Sequence, residues 1–395
     1  MSKEVFEEVK PRKTKSKRRL RKKQIAFAVE LVLLIMLSGV LFLWNKVNQI
    51  TWDTTLAPIK FNEITEETQE VLEGYTTVAL FGVDNRSVGD YDTGNSDSIM
   101  IVSINNATKE TRIVSLFRDT YLQVTDTMYR KCNHAYNTGG PQLALEMINR
   151  NLDLNVQDYA AVDFYAVAKA VNAVGGIEMT LSKEEAYWMN YTYIDHCSEV
   201  TGIPSSHVSE GTQILDGIQT VAYCRVRYTA GDDFKRTSRQ RDVIMKLYEK
   251  AMNASPSELS NLIDAVFPSI STSFTAPELL ELAKDVKQYQ ITETHGFPFE
   301  LTTGEYGSLG SLVVPCTLEE NVSQLHHFMY NEENYNPTQT VKDISIYIQS
   351  NTGTNVQSAL DSNYFGSPFA EGEAKDLTAK SSEASTLTKA TEISN

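Results

Sequence analysis

The sequence predicts a layered α/β fold within a chain of 395 residues. Short runs of apolar, β-prone residues alternate with segments whose apolar residues recur at helical spacing. A chain with this alternation forms a sheet with helices packed against it. A third observation, a basic N-terminal tail followed by an apolar run, adds one transmembrane helix before the folded domain.

The basic tail spans residues 1–23 and carries eleven Lys and Arg against three Glu. An apolar run follows at 24–45, and Glu30 is its one charge. About twenty apolar residues cross a bilayer as a helix. The run is longer than the apolar part of a signal peptide, and no small-residue cleavage site follows it. We therefore expect a single-pass protein of the cell membrane, with a cytoplasmic N-terminus and an extracytoplasmic C-terminal domain.

The rest of the chain is acidic. The net charge is −15, so residues 24–395 carry −23 once the +8 of the tail is set apart. We expect a juxtamembrane connector at 46–74, one extracytoplasmic domain at 75–340 and a C-terminal segment at 341–395. That last segment contains few large apolar residues, and it is expected to be disordered after about residue 356. The domain is long enough to bury one large core.

The elements of the domain are expected in a definite order. They are strands at 76–83, 98–105 and 111–118, a helix at 141–151, a strand at 159–164, a helix at 165–173, a strand at 177–181, and helices at 215–224, 256–266, 277–286 and 318–330. Turn-like residues join the second and third strands as a hairpin. Positions that sum to about 216 then face each other, which places Asp97 beside Arg118 at one end of the sheet.

The most informative segment is 223–242, because it is strongly basic within an acidic domain. Its cationic residues are Arg225, Arg227, Lys235, Arg236, Arg239 and Arg241, and they surround Asp232 and Asp233, one of which is placed to cap the next helix. Downstream, Ile244 and Leu247 belong to a core-facing stripe of that helix. Steps of four residues back from Ile244 reach Gln240 and Arg236, so both are expected to face inward, whereas Arg241 lies off the stripe.

A buried guanidinium needs an anionic partner, and a cluster of them is typical of a site for phosphate or carboxylate groups. The alternative is an internal network of Arg and Asp side chains. The acidic charge of the chain argues against nucleic acid as the ligand. The basic cluster therefore favours a polyanion site.

Two aspartates lie at expected strand ends: Asp84 follows the first strand and Asp97 precedes the second. Such carboxylates suit Mg²⁺, which commonly takes one or two of them together with phosphate oxygens and water; loop capping is the alternative. Beside them, Arg86 and Arg118 form either salt bridges or a phosphate clamp around a metal. Lys131 precedes a Gly-Gly helix entry whose backbone amides attract anions; the alternative is that the Gly-Gly pair only permits a tight turn.

Other chemistries find little support in the sequence. No GxGxxG, Walker A, GxSxG or SxxK motif is present, so nucleotide binding and acyl hydrolysis are disfavoured. No Cys or His spacing suggests zinc, and His326 and His327 are expected to be ordinary helix residues. Outside the membrane, three disulfide connectivities are open among Cys132, Cys197, Cys224 and Cys316.

Seven sequence blocks occur in the order GVDNR, NSDSIMIVSIN, SLFRDTY, KCNHAYNTGG, AVGGIEM, LDGIQTVAYCRVRYTAGDDFKRTSRQR and LEENVSQLHHFMY. Together with the N-terminal anchor, these blocks over residues 75–335 resemble the LytR–CpsA–Psr family. The resemblance implies a mixed sheet flanked by helices, with a hydrophobic pocket for a polyprenyl chain. It further implies an enzyme, assisted by Mg²⁺ or Mn²⁺, that transfers a phospho-glycan from an undecaprenyl-pyrophosphate carrier to peptidoglycan.

The resemblance also implies roles for individual residues. Asp84 and Asp97 match metal-associated aspartates, and Asn95 stands where the family usually has Arg, a charge that Arg239 or Lys131 would have to supply. The residues expected to bind pyrophosphate are Arg86, Arg118, Lys131, Arg225, Arg227, Arg236 and Gln240. The residues expected to act in catalysis are Asp233, Arg118, Arg225, Arg227 and Arg236.

In phosphoryl transfer, these arginines stabilise the leaving lipid phosphate. Asp233 is the first candidate for the base that accepts the proton of the sugar hydroxyl, and Asp119 is the second. Two alternatives stay open: hydrolysis of the same pyrophosphate, and a non-catalytic envelope regulator or glycan-binding scaffold. The complete set of Asp and Arg residues favours catalysis. The sequence leaves open whether the polymer is a teichoic acid or a capsular glycan.

Overall fold

The computed structural model describes residues 46, 49–84, 91, 94–227, 229 and 232–359, without the side chains at 232, 233, 280 and 283. The fold reported below is that of the compact unit that begins at Ile50. The expected transmembrane helix at 24–45 lies outside the described residues. Among the residues that are described, no helix combines the length and the apolar character needed to cross a bilayer.

Thirteen strands occur in the part of the chain that the structure describes. They are β1 (Thr51–Trp52), β2 (Tyr75–Asp84), β3 (Asn95–Asn105), β4 (Glu110–Leu116), β5 (Tyr121–Gln123), β6 (Tyr129–Lys131), β7 (Asp158–Val162), β8 (Ile177–Leu181), β9 (Gly211–Leu215), β10 (Ile270–Thr272), β11 (Gln290–Phe297), β12 (Leu301–Glu305) and β13 (Ser311–Pro315). Seven of them form one sheet in the order β1-β10-β7-β2-β3-β4-β11. This sheet is mixed, because β2 pairs antiparallel with β3 and parallel with β7.

The helices of the described residues pack around this sheet. They are α1 (Glu66–Glu73), α2 (His134–Leu152), α3 (Phe164–Ala173), α4 (Lys183–Trp188), α5 (Ile194–Thr201), α6 (Gly217–Arg225), α7 (Asp232–Asn253), α8 (Pro256–Val266), α9 (Ala276–Lys284), α10 (Leu318–Tyr330) and α11 (Gln339–Thr352), with a π-helical turn (Met189–Tyr193) between α4 and α5. The α/β class with a central mixed sheet is therefore confirmed.

The hairpin of β3 and β4 has the expected pairing. Ile99 pairs with Leu116 and Ile104 with Thr111, so paired positions sum to 215. Several element bounds also agree, among them β8, α8 and α10. The expected helix at 215–224 begins later, at Gly217, because the preceding residues pair with β8 as strand β9.

One face of the sheet carries the larger hydrophobic core. Alternate residues of β2 and β3 point to this face, as strand geometry requires, and Phe81 and Ile101 are buried there. Leu145 of α2 and Leu325 of α10 pack against them. Each fully buried side chain of this size contributes about 1.5–3 kcal/mol to the free energy of unfolding. The sheet therefore gives the site a rigid base.

The same core extends across the expected limits at residues 74 and 340. On the N-terminal side, Ile59 and Leu72 are buried in it. On the C-terminal side, Val341, Ile344 and Ile348 of α11 are buried in it as well. The helices on both sides of the expected domain thus share its packing.

A second hydrophobic cluster forms a smaller lobe from α3, β8, α4, α5, β9 and α6. Val221 and Tyr223 of α6 are buried in it, and Val243 of α7 joins it. This lobe carries the basic segment at the end of α6 and the start of α7. The four cysteines are all free thiols, so none of the three open disulfide connectivities is formed.

Candidate polyanion-binding site

The site is built around Asp97, which lies in an irregularity of the sheet. Gly82 pairs with Ser98 and Val83 with Ser96, so Asp97 is an extra residue in β3 without a partner in β2. Such a bulge bends a strand and changes the direction of a side chain. It brings the Asp97 carboxylate to the sheet edge where β4 ends.

Arg118, just after β4, holds this carboxylate. Its NH1 lies 2.9 Å from Oδ1 and 3.0 Å from Oδ2 of Asp97. Both side chains are mostly buried, with 15% and 18% of their surface exposed. The contact that the hairpin register predicts is therefore confirmed.

Two arginines of the basic segment reach the same carboxylate. Arg236 NH2 donates to the backbone oxygen of Asp97 at 2.9 Å, and its NH1 lies 3.7 Å from Oδ2. Arg227 NH2 lies 3.8 Å from the same Oδ2. Three guanidiniums thus approach one carboxylate, and a cluster of arginines is typical of sites that bind phosphate groups. This arrangement suits an additional anion.

Lys131 and Asp119 extend the site on the far side of Arg118. Lys131 Nζ lies 3.1 Å from Asp119 Oδ1, and Arg118 Nε lies 3.8 Å from Asp119 Oδ2. Asn95, where the family resemblance leads one to expect Arg, accepts a hydrogen bond from Asn137 of α2 at 3.3 Å. Lys131 is therefore a cation held next to the site by Asp119.

Arg225 occupies a neighbouring position against the smaller lobe. Its guanidinium lies 4.7 Å from the ring centre of Phe164 and 5.9 Å from that of Tyr193. Its NH1 lies 3.6 Å from Cys197 Sγ. Burial raises the pKa of the Cys197 thiol and the negative charge of Asp84 adds to this, whereas Arg225 lowers it. Asp84 and Arg225 therefore act on the same thiol.

Arg239 holds the loop that carries Arg227. Its Nε lies 2.9 Å from Glu185 Oε1, its NH1 donates to Val226 O at 3.0 Å, and its NH2 donates to Thr229 Oγ1 at 2.8 Å. Burial acts to raise the pKa of Glu185, but the charge of Arg239 and hydrogen bonds from Ser182 outweigh it, so the pKa is lowered. Arg239 therefore belongs to an internal network of Arg and acidic side chains. Its guanidinium binds Glu185 rather than Asp97.

Arg241 departs from the expectation that it lies off the buried stripe. It is 6% exposed, and its Nε and NH1 are buried without a hydrogen-bond partner. The reason is that α7 packs on two sides: Val243 faces the smaller lobe, while Phe234 stacks edge-on against Phe117 beside the sheet. A helix between two layers buries more than one stripe.

The remaining candidates are placed as follows. Arg236 is 3% exposed, and Gln240 is partly buried on the same helix, as the stripe predicts. The backbone of Asp233 lies in the first turn of α7, but its side chain, like all of Arg86, is outside the described residues. Helix α2 contains a break at Gly139 and Gly140, so the expected helix start near residue 141 corresponds to its second part.

Residues 46–313 match the model of the LytR_cpsA_psr family. The chain belongs to this family. Among curated members, the polyisoprenyl-teichoic acid–peptidoglycan teichoic acid transferase TagU of Enterococcus faecalis is 28% identical over 285 residues, which are 68% of this chain and 87% of that protein. The biofilm regulatory protein A of Streptococcus mutans is 30% identical over 252 residues, 58% of this chain and 60% of that protein.

Solved structures of similar chains support the fold of this LytR–CpsA–Psr protein. A crystal structure of a Streptococcus agalactiae protein aligns with a TM-score of 0.55 at 22% identity, covering 71% of this chain and 95% of that one. TagV of Bacillus subtilis aligns with a TM-score of 0.52 at 22% identity, covering 67% and 98%. Both likenesses concern the fold.

The fit of a metal to this site follows from its donor atoms. Asp84 and Asp97 lie on adjacent strands, near the same end of the β2–β3 pair. Their carboxylates are oxygen donors of the kind that Mg²⁺ takes, with phosphate oxygens and water completing its octahedron. Among the residues described, no group of three or more His, Cys, Asp or Glu side chains is arranged to hold a metal ion. Asp84 and Asp97 are the residues that would hold a metal ion here, together with oxygens of a bound phosphate.

The sequence patterns did not predict three residues of the site. Phe164 and Tyr193 flank the guanidinium of Arg225, and Glu185 pairs with Arg239. All three come from the smaller lobe, at a large sequence distance from the basic segment. The sequence carries only a weak signal for Glu185. It is the third residue of a capping box, a pattern that indicates a helix start and not an arginine partner.

Proposed function

We propose that this protein is a membrane-anchored phosphotransferase that moves an anionic or capsular glycopolymer from a polyprenyl-pyrophosphate carrier to peptidoglycan. The observation that carries the proposal is the convergence of Arg118, Arg227 and Arg236 on Asp97. Curated members of the family bear the name teichoic acid transferase, which agrees with a phosphate-rich donor.

The arginines bind and orient the donor. Arg118, Arg227 and Arg236 contact phosphate oxygens, and Arg225 adds charge from the smaller lobe. An acceptor sugar hydroxyl attacks the phosphorus that bears the glycan, a new P–O bond forms, and the bond to the distal phosphate breaks. Polyprenyl phosphate leaves with the bonding electron pair. Charge stabilisation of this kind provides most of the catalysis in phosphoryl transfer.

The proton of the acceptor hydroxyl passes to a carboxylate. Asp119 is already in contact with Arg118 and Lys131, which leaves its oxygens less available. Asp233, at the start of α7, remains the first candidate for the base. Asp84 and Asp97 would hold Mg²⁺ or Mn²⁺, which when bound neutralises charge on the pyrophosphate.

The same proposal includes the anchor. The basic tail and the apolar run at 24–45 support a single membrane span with residues 1–23 in the cytoplasm. Anchoring raises the concentration of the domain near a lipid-linked donor. Protease treatment of intact protoplasts is expected to remove the C-terminal domain, and a fully protected domain would refute this topology.

The test of the activity is a reconstitution of the full chain with candidate polyprenyl-pyrophosphate glycans and peptidoglycan. We expect polymer to become linked to peptidoglycan, and Arg236→Ala to abolish this transfer. Lys246→Ala is the matched control, because this exposed cation lies on the same helix and pairs with Glu249. Release of the polymer into water at the same rate with and without peptidoglycan would identify a hydrolase instead.

A further inference from the structure

Two exposed tyrosines and a partly buried tryptophan form a group of aromatic rings on the smaller lobe, and we call Tyr187, Trp188 and Tyr191 the aromatic shelf. Tyr187 is 55% exposed and Tyr191 is 74% exposed. Their rings stack with centres 5.6 Å apart and planes 8° apart. Trp188 meets both rings edge-on, at 5.2 and 6.1 Å. The shelf is therefore an ordered surface rather than three independent side chains.

The local helix geometry explains why the two tyrosine rings point outward, while Trp188 packs against the core of the lobe. Ala186, Met189 and Tyr193 of the same segment are buried and anchor it to the lobe. Tyr187 and Tyr191 are four residues apart, so they lie on one helix face and stack. The turn that contains Tyr191 is π-helical. This geometry is rare in proteins as a whole, but where it occurs it is often at a functional site. Exposed aromatic rings that form a group mark binding surfaces more often than isolated ones do.

The segment that carries the shelf also supports the candidate site. On its inner side, Glu185 pairs with Arg239, and Tyr193 lies beneath the guanidinium of Arg225. Cys197, one turn further on, lies next to Arg225 as well. The outer rings and the inner contacts thus belong to one short helical segment, which links a ligand on the shelf to the residues that hold Arg225 and Arg239.

The charge of the lobe restricts the kind of ligand. Across the elements of this lobe, residues 164–225, the Lys and Arg residues are three: Lys169, Lys183 and Arg225. The acidic residues of this stretch are Glu178, Glu184, Glu185, Asp195, Glu199, Glu210 and Asp216. Such a surface repels an anionic polymer and the anionic lipids of a bilayer. It favours an uncharged ligand with an apolar face.

We propose that the aromatic shelf is a carbohydrate-binding subsite for the neutral amino-sugar backbone of the acceptor glycan. The inference rests on the proposed function, which requires a sugar polymer to lie next to the pyrophosphate. The C–H face of a pyranose ring packs on a Tyr or Trp ring, while its hydroxyl groups stay in water. Tyr and Trp suit this role because they offer large rigid surfaces with a polar edge. The anionic donor polymer is kept away by the acidic surround.

Binding is tested with the full chain in detergent and an uncharged β-1,4-linked tetramer of N-acetylglucosamine as the probe. We expect saturable binding, read from the tryptophan fluorescence of Trp188 and by calorimetry. The double variant Tyr187→Ala/Tyr191→Ala is expected to weaken it at least tenfold. Tyr347→Ala is the matched control, because Tyr347 is also exposed and also stacks, on Tyr129 at 3.8 Å; it should bind the tetramer as the wild type does.

Two results would overturn the proposal. One is that the wild type and the double variant bind the tetramer equally, or that neither of them binds it. The other is loss of binding to vesicles containing anionic lipid in the double variant with tetramer binding unchanged, which would make the shelf a membrane contact.

A transfer assay separates this inference from the proposed function. The double variant is expected to raise KM for soluble peptidoglycan glycan at least tenfold, with the affinity for the pyrophosphate donor unchanged. If the wild type transfers polymer and the double variant has the same acceptor KM, the subsite is refuted and the function stands. If the wild type binds the tetramer through the shelf but transfers from no donor, the proposed function is refuted instead.

Discussion

Arg241 and Arg239 are two buried arginines on one helix with opposite environments. Arg239 has an acidic partner and two further acceptors, whereas Arg241 keeps two buried nitrogens without hydrogen bonds. Burial lowers the pKa of Arg241 to about 10. Asp242 attracts this charge, but two nitrogens of the guanidinium are buried without hydrogen bonds. Because that desolvation opposes folding, we expect Arg241→Met to raise the free energy of unfolding by about 1–3 kcal/mol.

Denaturant unfolding of the two variants checks this prediction. Arg239→Met is the control and should lower the free energy of unfolding by about 3–5 kcal/mol, because it leaves Glu185 buried without its cation. A loss of stability in Arg241→Met comparable to that in Arg239→Met would show that Arg241 has a stabilising role. The effect of Arg241→Met on transfer is still expected to be milder than that of Arg236→Ala.

Asp97 is the anion around which the arginines are arranged, and it competes with a bound phosphate for them. We expect Asp97→Asn to bind inorganic pyrophosphate several-fold more tightly than the wild type when Mg²⁺ is removed with a chelator, because a repelling charge has gone. Transfer should nevertheless be lost. Calorimetry gives the affinities, and Asp126→Asn, at an exposed carboxylate, is the control. Weaker pyrophosphate binding by Asp97→Asn would show that the carboxylate mainly positions the arginines.

At the scale of elements, the Glu185–Arg239 pair joins α4 to α7. The pKa of Glu185 is lowered in the folded protein, below its ordinary value of 4.5. The pair therefore contributes stability above that value and loses it as the pH falls through the lowered folded-state pKa. We expect Glu185→Gln to be clearly less stable than the wild type at pH 7, and the difference to be smaller at pH 3.

Thermal unfolding at the two pH values measures this difference. Glu249→Gln serves as the comparison, since this exposed carboxylate forms a surface pair with Lys246 and should change stability little at either pH. A gap between Glu185→Gln and the wild type that stays constant from pH 7 to pH 3 would mean that the pair is not what stabilises the loop.

The elements also show how far sequence patterns reach. The contact of Asp97 with Arg118 follows from the turn between β3 and β4, because hairpin register is local. The inward position of Arg236 follows from the spacing of α7. The burial of Arg241 could not be predicted in this way, since it depends on a second layer packed against the same helix. The partner of Arg239 comes from α4, 54 residues away in the chain, and no local pattern encodes such a contact.

At the scale of the whole molecule, α11 completes the larger core. It begins at Gln339, with Thr338 as its cap, and Thr338 also donates to Asp153 at the end of α2. Three of its aliphatic side chains are buried, each contributing about 1.5–3 kcal/mol. Their sum is comparable to the total stability of a typical domain. We expect a chain truncated after residue 338 to fail to fold.

A chain truncated after residue 359 provides the comparison, and composition predicts that it keeps the melting temperature of the full protein. Circular dichroism of both proteins distinguishes the two outcomes. A folded protein ending at 338 would show that α11 is an accessory to the core rather than part of it.

Asp97, the residue of β3 without a partner in β2, determines what happens when its codon is lost from the gene. Deleting the single codon for Asp97 would let Ser96 and Ser98 fall into step with Val83 and Gly82, and the ladder between β2 and β3 would become continuous. The shortened gene would then encode a more regular sheet in which Arg118, Arg227 and Arg236 have no carboxylate between them. Loss of the Asp97 codon is therefore expected to leave a protein that folds but lacks transfer activity. Loss of a codon from the paired part of β3 instead shifts the register and disrupts the core.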